Sequence, residues 1–366
     1  MTVLEICDAI DELAPPPLAY SWDRAGLGIG DPYADVTGVV VSLSVTRDTY
    51  TAARRTRSQL IVSHHPVIWD PLNALRTDDP HTRLCLDLAE AGISCYAAHT
   101  NLDLAPGGVS HVAAKRLKLN DVAPLLPVEH ARQVKLVTFV PESHLAPVRN
   151  AVCRAGAGVI GDYTFCSFSA PGVGTFLPGE KSDPFSGRKR VINEEPERRF
   201  EVLAPKARLS RIVDAMLEAH PYDEPAFDIV TLESADPASA LGVKGDLHRA
   251  QPLGAFAKFV RRALGATHVR VVGDSDMRVH TVAVIGGSGG GQIARIPHDV
   301  DVLVTGDVKY HDAQAAEERG LAVIDAGHAA TEKWIVPWLV SYLRSRFRRL
   351  RVAPFVEPEL FRVVTK

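Results

Sequence analysis

Short apolar runs rich in β-branched residues alternate with stretches of helical period at both ends of this chain. Residues 36–45 form one such run, with Val39, Val40 and Val41 at its centre, and a helical pattern follows at 49–57. Residues 59–63 read as a short buried strand. Asp79-Pro80 opens a helix that runs to residue 91, where Gly92 stops it. A carboxylate at the N-cap accepts a free backbone N–H, and a proline in the first turn has none to leave unpaired. Residues 93–97 form the next strand and 108–117 another helix. The alternation resumes near the C-terminus, with strands at 279–285, 302–305 and 321–324, helices between them, and one long helix over about 328–346. Strands and helices in this order predict an α/β fold built on a largely parallel sheet.

The middle has a different texture. Pro124-Leu125-Leu126-Pro127 and Ser234-Ala235-Asp236-Pro237 read as linkers. Between them the pattern gives strand 134–140, helix 143–155, strands at 163–169 and 173–177, strand 199–203, helix 209–219 and strand 226–231. This approximates the βαββαβ order of ferredoxin-like domains. Residues 179–197 are rich in charge, Gly and Pro and read as a mobile loop. The expected organisation is therefore a two-part α/β core, 1–127 and 239–366, interrupted by an inserted α+β domain at 128–238.

Composition changes this picture little. The chain is 46% hydrophobic and 23% charged, as expected for a soluble globular protein. Its net charge of −3 supplies no overall basic field for nucleic acid or an anionic membrane. The basic run 344–351 reads as a solvated helix end. No apolar stretch reaches the ~20 residues that a membrane span needs, and the first six residues lack the basic start of a secretory leader. Five scattered cysteines, with no CxxC pair, argue against a disulfide framework or a thiolate zinc site and suit a reducing cytoplasm.

The candidate chemistry lies at three predicted strand exits. Residues 59–63 deliver His64 and His65; residues 93–97 deliver His99 and, after a tight turn, Asp103; residues 321–324 deliver His328 at a helix start, with Glu332 one turn later. Residues four apart on a helix share a face, so one helix can offer an imidazole and a carboxylate to one centre. Imidazoles and carboxylates converging at strand ends are donors for divalent cations. Adjacent histidines cannot easily aim at one point, so two ions bridged by Glu332 fit better than one. The expected sets are His65, Asp103 and Glu332 around one ion, and His64, His328 and Glu332 around the other. The nitrogen and oxygen donors suit Zn, Mn, Fe or Co. His99 reads as an outer partner that orients a ligand. His311, at another strand exit, is a candidate general acid or base, with a structural histidine at a helix start as the alternative. Gly286–Gly291 is either a tight turn needing positive φ or a nest of N–H groups for phosphate. Lys181, Arg188, Lys189 and Arg190 read as a solvated loop rather than a lid over an anion. Neither a G-x-S-x-G elbow nor a cysteine beside the histidines is present.

The stretches Trp22-Asp23, Val62-Ser63-His64-His65-Pro66, Ala98-His99-Thr100-Asn101-Leu102-Asp103, Thr305-Gly306-Asp307-Val308-Lys309-Tyr310-His311 and Asp325-Ala326-Gly327-His328-Ala329-Ala330-Thr331-Glu332 resemble the dinuclear-metal-centre family of GTP cyclohydrolase 1 type 2 homologues, the NGG-interacting-factor-three-like proteins. In the middle, residues 156–163, 166–168, 172–176 and 220–225 resemble the PII/CutA-like insert of its longer bacterial members. Arg24 and Ser44 depart from the residues common there, Asn and Asp. The resemblance implies that His64, His65, Asp103, His328 and Glu332 bind the metals. It also implies a toroidal homohexamer with its sites facing an enclosed cavity. The combined expectation is a metal-dependent hydrolase acting on a nucleotide or phosphorylated small molecule. Its competitor is a non-catalytic, metal-binding regulatory assembly that senses a ligand or docks partners through the insert.

Overall fold

The computed structural model describes residues 1–128 and 131–364. The chain forms two compact units, Met1–Val128 with Pro237–Lys366, and Glu129–Asp236.

The first unit holds two sheets. One has the strand order Gly26–Ile29, Ser94–Ala97, Leu60–Ser63, Gly38–Ser42, Arg351–Pro354. The last four strands are parallel, and Gly26–Ile29 is an antiparallel edge. Gly38–Ser42, Leu60–Ser63 and Ser94–Ala97 are buried at every residue, as parallel strands covered on both faces should be. Their register sets Ser42 beside Ser63 and Ser63 beside Ala97. The residues that follow, Leu43-Ser44, His64-His65 and Ala98-His99, therefore leave the sheet side by side.

The second sheet has the order Arg270–Val272, Ala322–Asp325, Val302–Thr305, Arg278–Val284, Ala240–Pro252, Asn120–Pro127. Only its three central strands run parallel; the flanking pairs are antiparallel. Helix Leu253–Leu264 packs Phe256, Val260 and Leu264 onto Val282, Val284, Val304 and Ile324. Two expectations change here. The run 124–127, read as a linker, lies in the edge strand Asn120–Pro127, where a proline without an N–H is tolerated. The long helix is two helices, His328–Glu332 and Ile335–Arg346. Pro337 cannot donate to the Lys333 carbonyl, so the turn between them cannot stay helical. The N-terminal helix Val3–Leu13 was not anticipated, although its capping box was visible: Thr2 N donates to Glu5 Oε2 (2.7 Å), and Glu5 N to Thr2 Oγ1 (3.3 Å).

The second unit runs Arg132–Pro141, Leu145–Arg154, Ser167–Phe176, Asn193–Pro205, Leu209–Ala219, Phe227–Ala235. Its antiparallel sheet has the order Ser167–Phe176, Asn193–Pro205, Arg132–Pro141, Phe227–Ala235. Val148, Val152, Ile212 and Met216 from the two helices share a core with the strand residues Val134, Leu136, Phe200 and Val202. Where two strands were expected at 163–169 and 173–177, one edge strand passes through Pro171 and pairs residue for residue with its neighbour. That neighbour starts at Asn193, so the last residues of the expected loop 179–197 are strand. Among the described residues no helix is long and apolar enough to cross a membrane.

Candidate metal centre

His64 is fully buried, and its Nδ1 donates to the Ala98 carbonyl at 2.8 Å. That bond fixes the ring and leaves Nε2 with no hydrogen-bond partner. His64 Nε2 lies 3.6 Å from Asp103 Oδ1 and 3.6 Å from Glu332 Oε1. Asp103 Oδ1 is likewise buried without a hydrogen-bond partner. Beside this group, His65 Nε2 lies 3.1 Å from Glu332 Oε2 and 3.4 Å from His328 Nε2, and His328 Nε2 lies 3.2 Å from the same Oε2. The outer nitrogens are held as well, His65 Nδ1 by Ser44 Oγ (2.9 Å) and His328 Nδ1 by Asp307 Oδ2 (2.7 Å). His64, His65 and His328 meet around the carboxylate of Glu332, which is 4% exposed, and Asp103 joins them through His64.

The grouping differs from the one the sequence suggested. Asp103 pairs with His64, not His65, and His328 pairs with His65, not His64. The reason lies in the second nitrogen of each ring. The Ala98 carbonyl turns His64 toward Asp103, whereas Ser44 turns His65 toward the helix that starts at His328.

Without a cation, protons take the cation's place. Burial opposes charge on His64, but Asp103 and Glu332 outweigh it and push the imidazole up to about 9. The hydrogen bond to Glu332 raises His328 to about 9 against its burial, with help from Asp307. Burial lowers His65. Burial also opposes the charge of Glu332, yet His64, His328 and His65 hold it well below the usual carboxylate range. Asp103 is raised, because burial outweighs the pull of His64.

The glycine-rich loop takes the structural of its two readings. Gly286 N, Gly287 N and Gly289 N donate to Ser110, Thr331 and Thr305 hydroxyls at 3.1, 2.9 and 2.9 Å, so these amides are not offered to a phosphate. Gly287 sits at φ +67°, and a Cβ there would lie 2.1 Å from Glu332 Oε1. The loop is glycine because its backbone packs against the shared carboxylate.

A second layer stands beside the cluster. Asp23 accepts from His99 Nδ1 at 2.8 Å, from Thr100 N at 3.0 Å and from the Thr100 hydroxyl. Burial works against its charge, but the bonds from His99 and Thr100 hold Asp23 down to about 2. One nitrogen from each of His64, His65 and His99 lies within 4.8 Å of the others. Trp22 and Trp69 pack edge-on against His99, with centroids 6.2 and 5.0 Å away, and Tyr20 stacks on Trp22 at 5.7 Å. Both indoles are about half exposed. His311 does not join this group. It is exposed in the first turn of Tyr310–Glu318 and packs against the Tyr310 ring. Sequence reasoning gave no role to Asp23, Ser44 or Asp307. Asp307 had a legible signal, an acid directly after a strand and a glycine, and it adopts φ +55°.

The fold and the cluster define a class: a mixed α/β protein whose buried histidine and carboxylate side chains could hold a metal ion. The sequence profile of the Duf34/NIF3 (NGG1p interacting factor 3) family matches residues 1–357. The chain belongs to that family. It is 37% identical over 328 residues to a Halalkalibacterium halodurans protein called GTP cyclohydrolase 1 type 2 homolog, covering 89% of this chain and 87% of that one. A Bacillus subtilis protein of the same name is 37% identical over 327 residues, 89% of this chain and 88% of that one. Among solved structures, a Bacillus cereus protein related to NIF3 superposes with a TM-score of 0.85 at 33% identity, covering 100% of this chain and 99% of that one.

Proposed function

We propose that this protein is a dinuclear metal-dependent hydrolase acting on a nucleotide or phosphorylated small molecule. One observation carries the reading: His64 Nε2 and Asp103 Oδ1 are buried without hydrogen-bond partners and face each other, and His64 Nε2 also faces the Glu332 carboxylate, whose other oxygen faces His65 and His328. Buried donors left this way cost on the order of 1–3 kcal/mol each unless a ligand takes them up. His64, Asp103 and Glu332 would hold one divalent ion, and His65, His328 and Glu332 the other; Zn, Mn, Fe and Co all suit such donors. Bound ions would supply Lewis acidity, activating water near neutral pH and neutralising charge on a phosphoryl or carbonyl oxygen.

The chain's own residues complete the chemistry. Asp23 holds the Nδ1 proton of His99, which leaves Nε2 to take a proton from the nucleophile and return it to the leaving group. Trp22 and Trp69 give the mouth an aromatic wall against which a planar base can pack. Because relatives carry the name GTP cyclohydrolase 1 type 2 homolog, GTP is the first substrate to try. The test is a screen of GTP, other nucleotides and phosphoesters with metal-loaded and metal-stripped protein. Turnover should require metal, and His99→Gln should keep both ions while losing roughly 10²–10⁴ in rate. Hydrolysis that survives metal removal, or a full rate in His99→Gln, would sink the mechanism. The reading extends to the homohexamer that the family resemblance implies and to the reducing cytoplasm that the scattered cysteines suit.

A second reading rests on the inserted unit, whose strand order supports a ferredoxin-like, PII/CutA-like domain. That unit contains a cavity of about 690 Å³, walled by Phe139, Phe176, Phe185 and Tyr222 around Glu197 and Arg199. Tyr222 OH donates to Glu197 Oε1 at 2.8 Å. A cavity with few polar groups among aromatic walls is the usual form of a small-molecule site, which favours a ligand-sensing assembly. Metabolites that raise the melting temperature of the full chain, but not of Tyr222→Ala, together with no turnover on any substrate, would replace the catalytic reading with this one.

A further inference from the structure

The C-terminal segment reaches back to the metal centre. Arg351–Pro354 pairs with Gly38–Ser42 at the sheet edge, and the ladder continues as Phe355 N donates to the Val41 carbonyl at 2.7 Å. Two residues later Glu357 turns its carboxylate onto the end of that neighbouring strand. Its Oε1 accepts from Leu43 N at 2.6 Å and from Ser44 N at 3.0 Å. A carboxylate on two successive amides is a charge-assisted arrangement, stronger than a neutral pair.

Those two residues are the support on which His65 rests. His65 N donates to the Leu43 carbonyl at 2.7 Å, and Ser44 Oγ pairs with His65 Nδ1 at 2.9 Å. Thr49 Oγ1 holds the Ser44 carbonyl at 3.0 Å from the other side. With Nδ1 fixed, the opposite nitrogen is aimed at Glu332 Oε2 and His328 Nε2. His64 is supported differently: its Nδ1 is held by the Ala98 carbonyl, on a different strand exit from the one that Glu357 holds.

We propose that Glu357 is a positioning residue for the metal centre, fixing Leu43 and Ser44 so that His65 is aimed at the ion it shares with His328 and Glu332. The inference rests on the metal-binding reading above and predicts an asymmetry which that reading does not. Loss of Glu357 should weaken one ion and spare the other.

The test is titration of metal-stripped, full-length protein with Co(II), followed by its visible absorption, with far-ultraviolet circular dichroism as the folding control. Wild type should take up two ions. In Glu357→Ala one of the two should bind about 10–100-fold more weakly, the range expected when an outer partner of a ligand is lost, while the other keeps its affinity. Ser44→Ala should reproduce the effect, and the double variant should be no worse than the stronger single, because both changes cut one chain of contacts. Glu357→Gln, whose amide oxygen can still accept both N–H groups, should lie closer to wild type and serves if the alanine variant folds poorly. Two unchanged affinities in folded Glu357→Ala would overturn the proposal, as would equal weakening of both ions or full additivity with Ser44→Ala. A wild-type protein that binds no Co(II) would instead overturn the metal-centre reading itself.

Discussion

Glu332→Gln is expected to abolish tight binding of both ions at once, with apparent affinity falling by more than about 100-fold, beyond the range for loss of an outer partner. The expectation follows from position. Glu332 Oε1 faces His64 and Oε2 faces both His65 and His328, so its carboxylate spans the two halves of the cluster. The amide keeps the size of the carboxylate but removes its charge, and one of its two ends can no longer accept. The fold should survive, because His64 and His328 can shed the protons that Glu332 had favoured. Gly287→Ala should act in the same direction more mildly, by driving a methyl group into Glu332 Oε1 from a backbone at φ +67°. Metal content after dialysis, measured by elemental analysis alongside a thermal melt, checks both. Two ions retained by folded Glu332→Gln would contradict the central role given to this residue.

Metal loading at pH 7.5 is expected to expel close to two protons per chain. In the metal-free protein His64 and His328 both titrate at about 9, and each must be neutral to ligate. Binding should therefore tighten as pH rises, levelling off once both imidazoles are neutral above about 9. Calorimetry in buffers of different ionisation enthalpy counts the protons directly; a binding heat independent of buffer would refute the assignment. Stability of the metal-free protein should move the opposite way. For an imidazole whose folded pKa is raised, the extra stability is fully present below the unfolded value near 6.5 and is lost as pH climbs through about 9. For buried His64 this amounts to roughly 3 kcal/mol. His328 adds less, because its ring is 39% exposed and partly screened by solvent. Chemical denaturation of chelator-treated protein at pH 6 and pH 9 measures the difference.

Much of the fold was legible in the chain. The strands at 60–63, 94–97 and 302–305 are buried throughout and largely apolar, and stand where the pattern put them, because strands buried on both faces leave a near-continuous signal. The helix opened by Asp79-Pro80 was equally clear from its cap. Edges were not legible. Asn120–Pro127 and Ser167–Phe176 contain prolines that read as breaks, and only a neighbour on one side makes them strands. In the site, the donors could be named because imidazoles and acids at strand exits are chemically unusual. His311 shared that signature, yet it sits on the exposed first turn of its own helix, as its alternative reading as a histidine at a helix start expected.

The sequence by itself determined which side chains are available to a cation: three imidazoles and two acids placed just beyond buried strands or on one helical turn. Local chemistry suffices for that, because residue type and position relative to an apolar run are properties of short segments. Only the tertiary structure decided how they divide. Adjacent residues such as His64 and His65 face different partners, and which partner each meets depends on the far nitrogen of its ring. Those nitrogens are tied to Ala98 and Ser44, on neighbouring strand exits, and the latter is tied in turn to Glu357, 313 residues away. Such contacts are set by sheet register and by the return of the chain's end, and no short-range pattern encodes either.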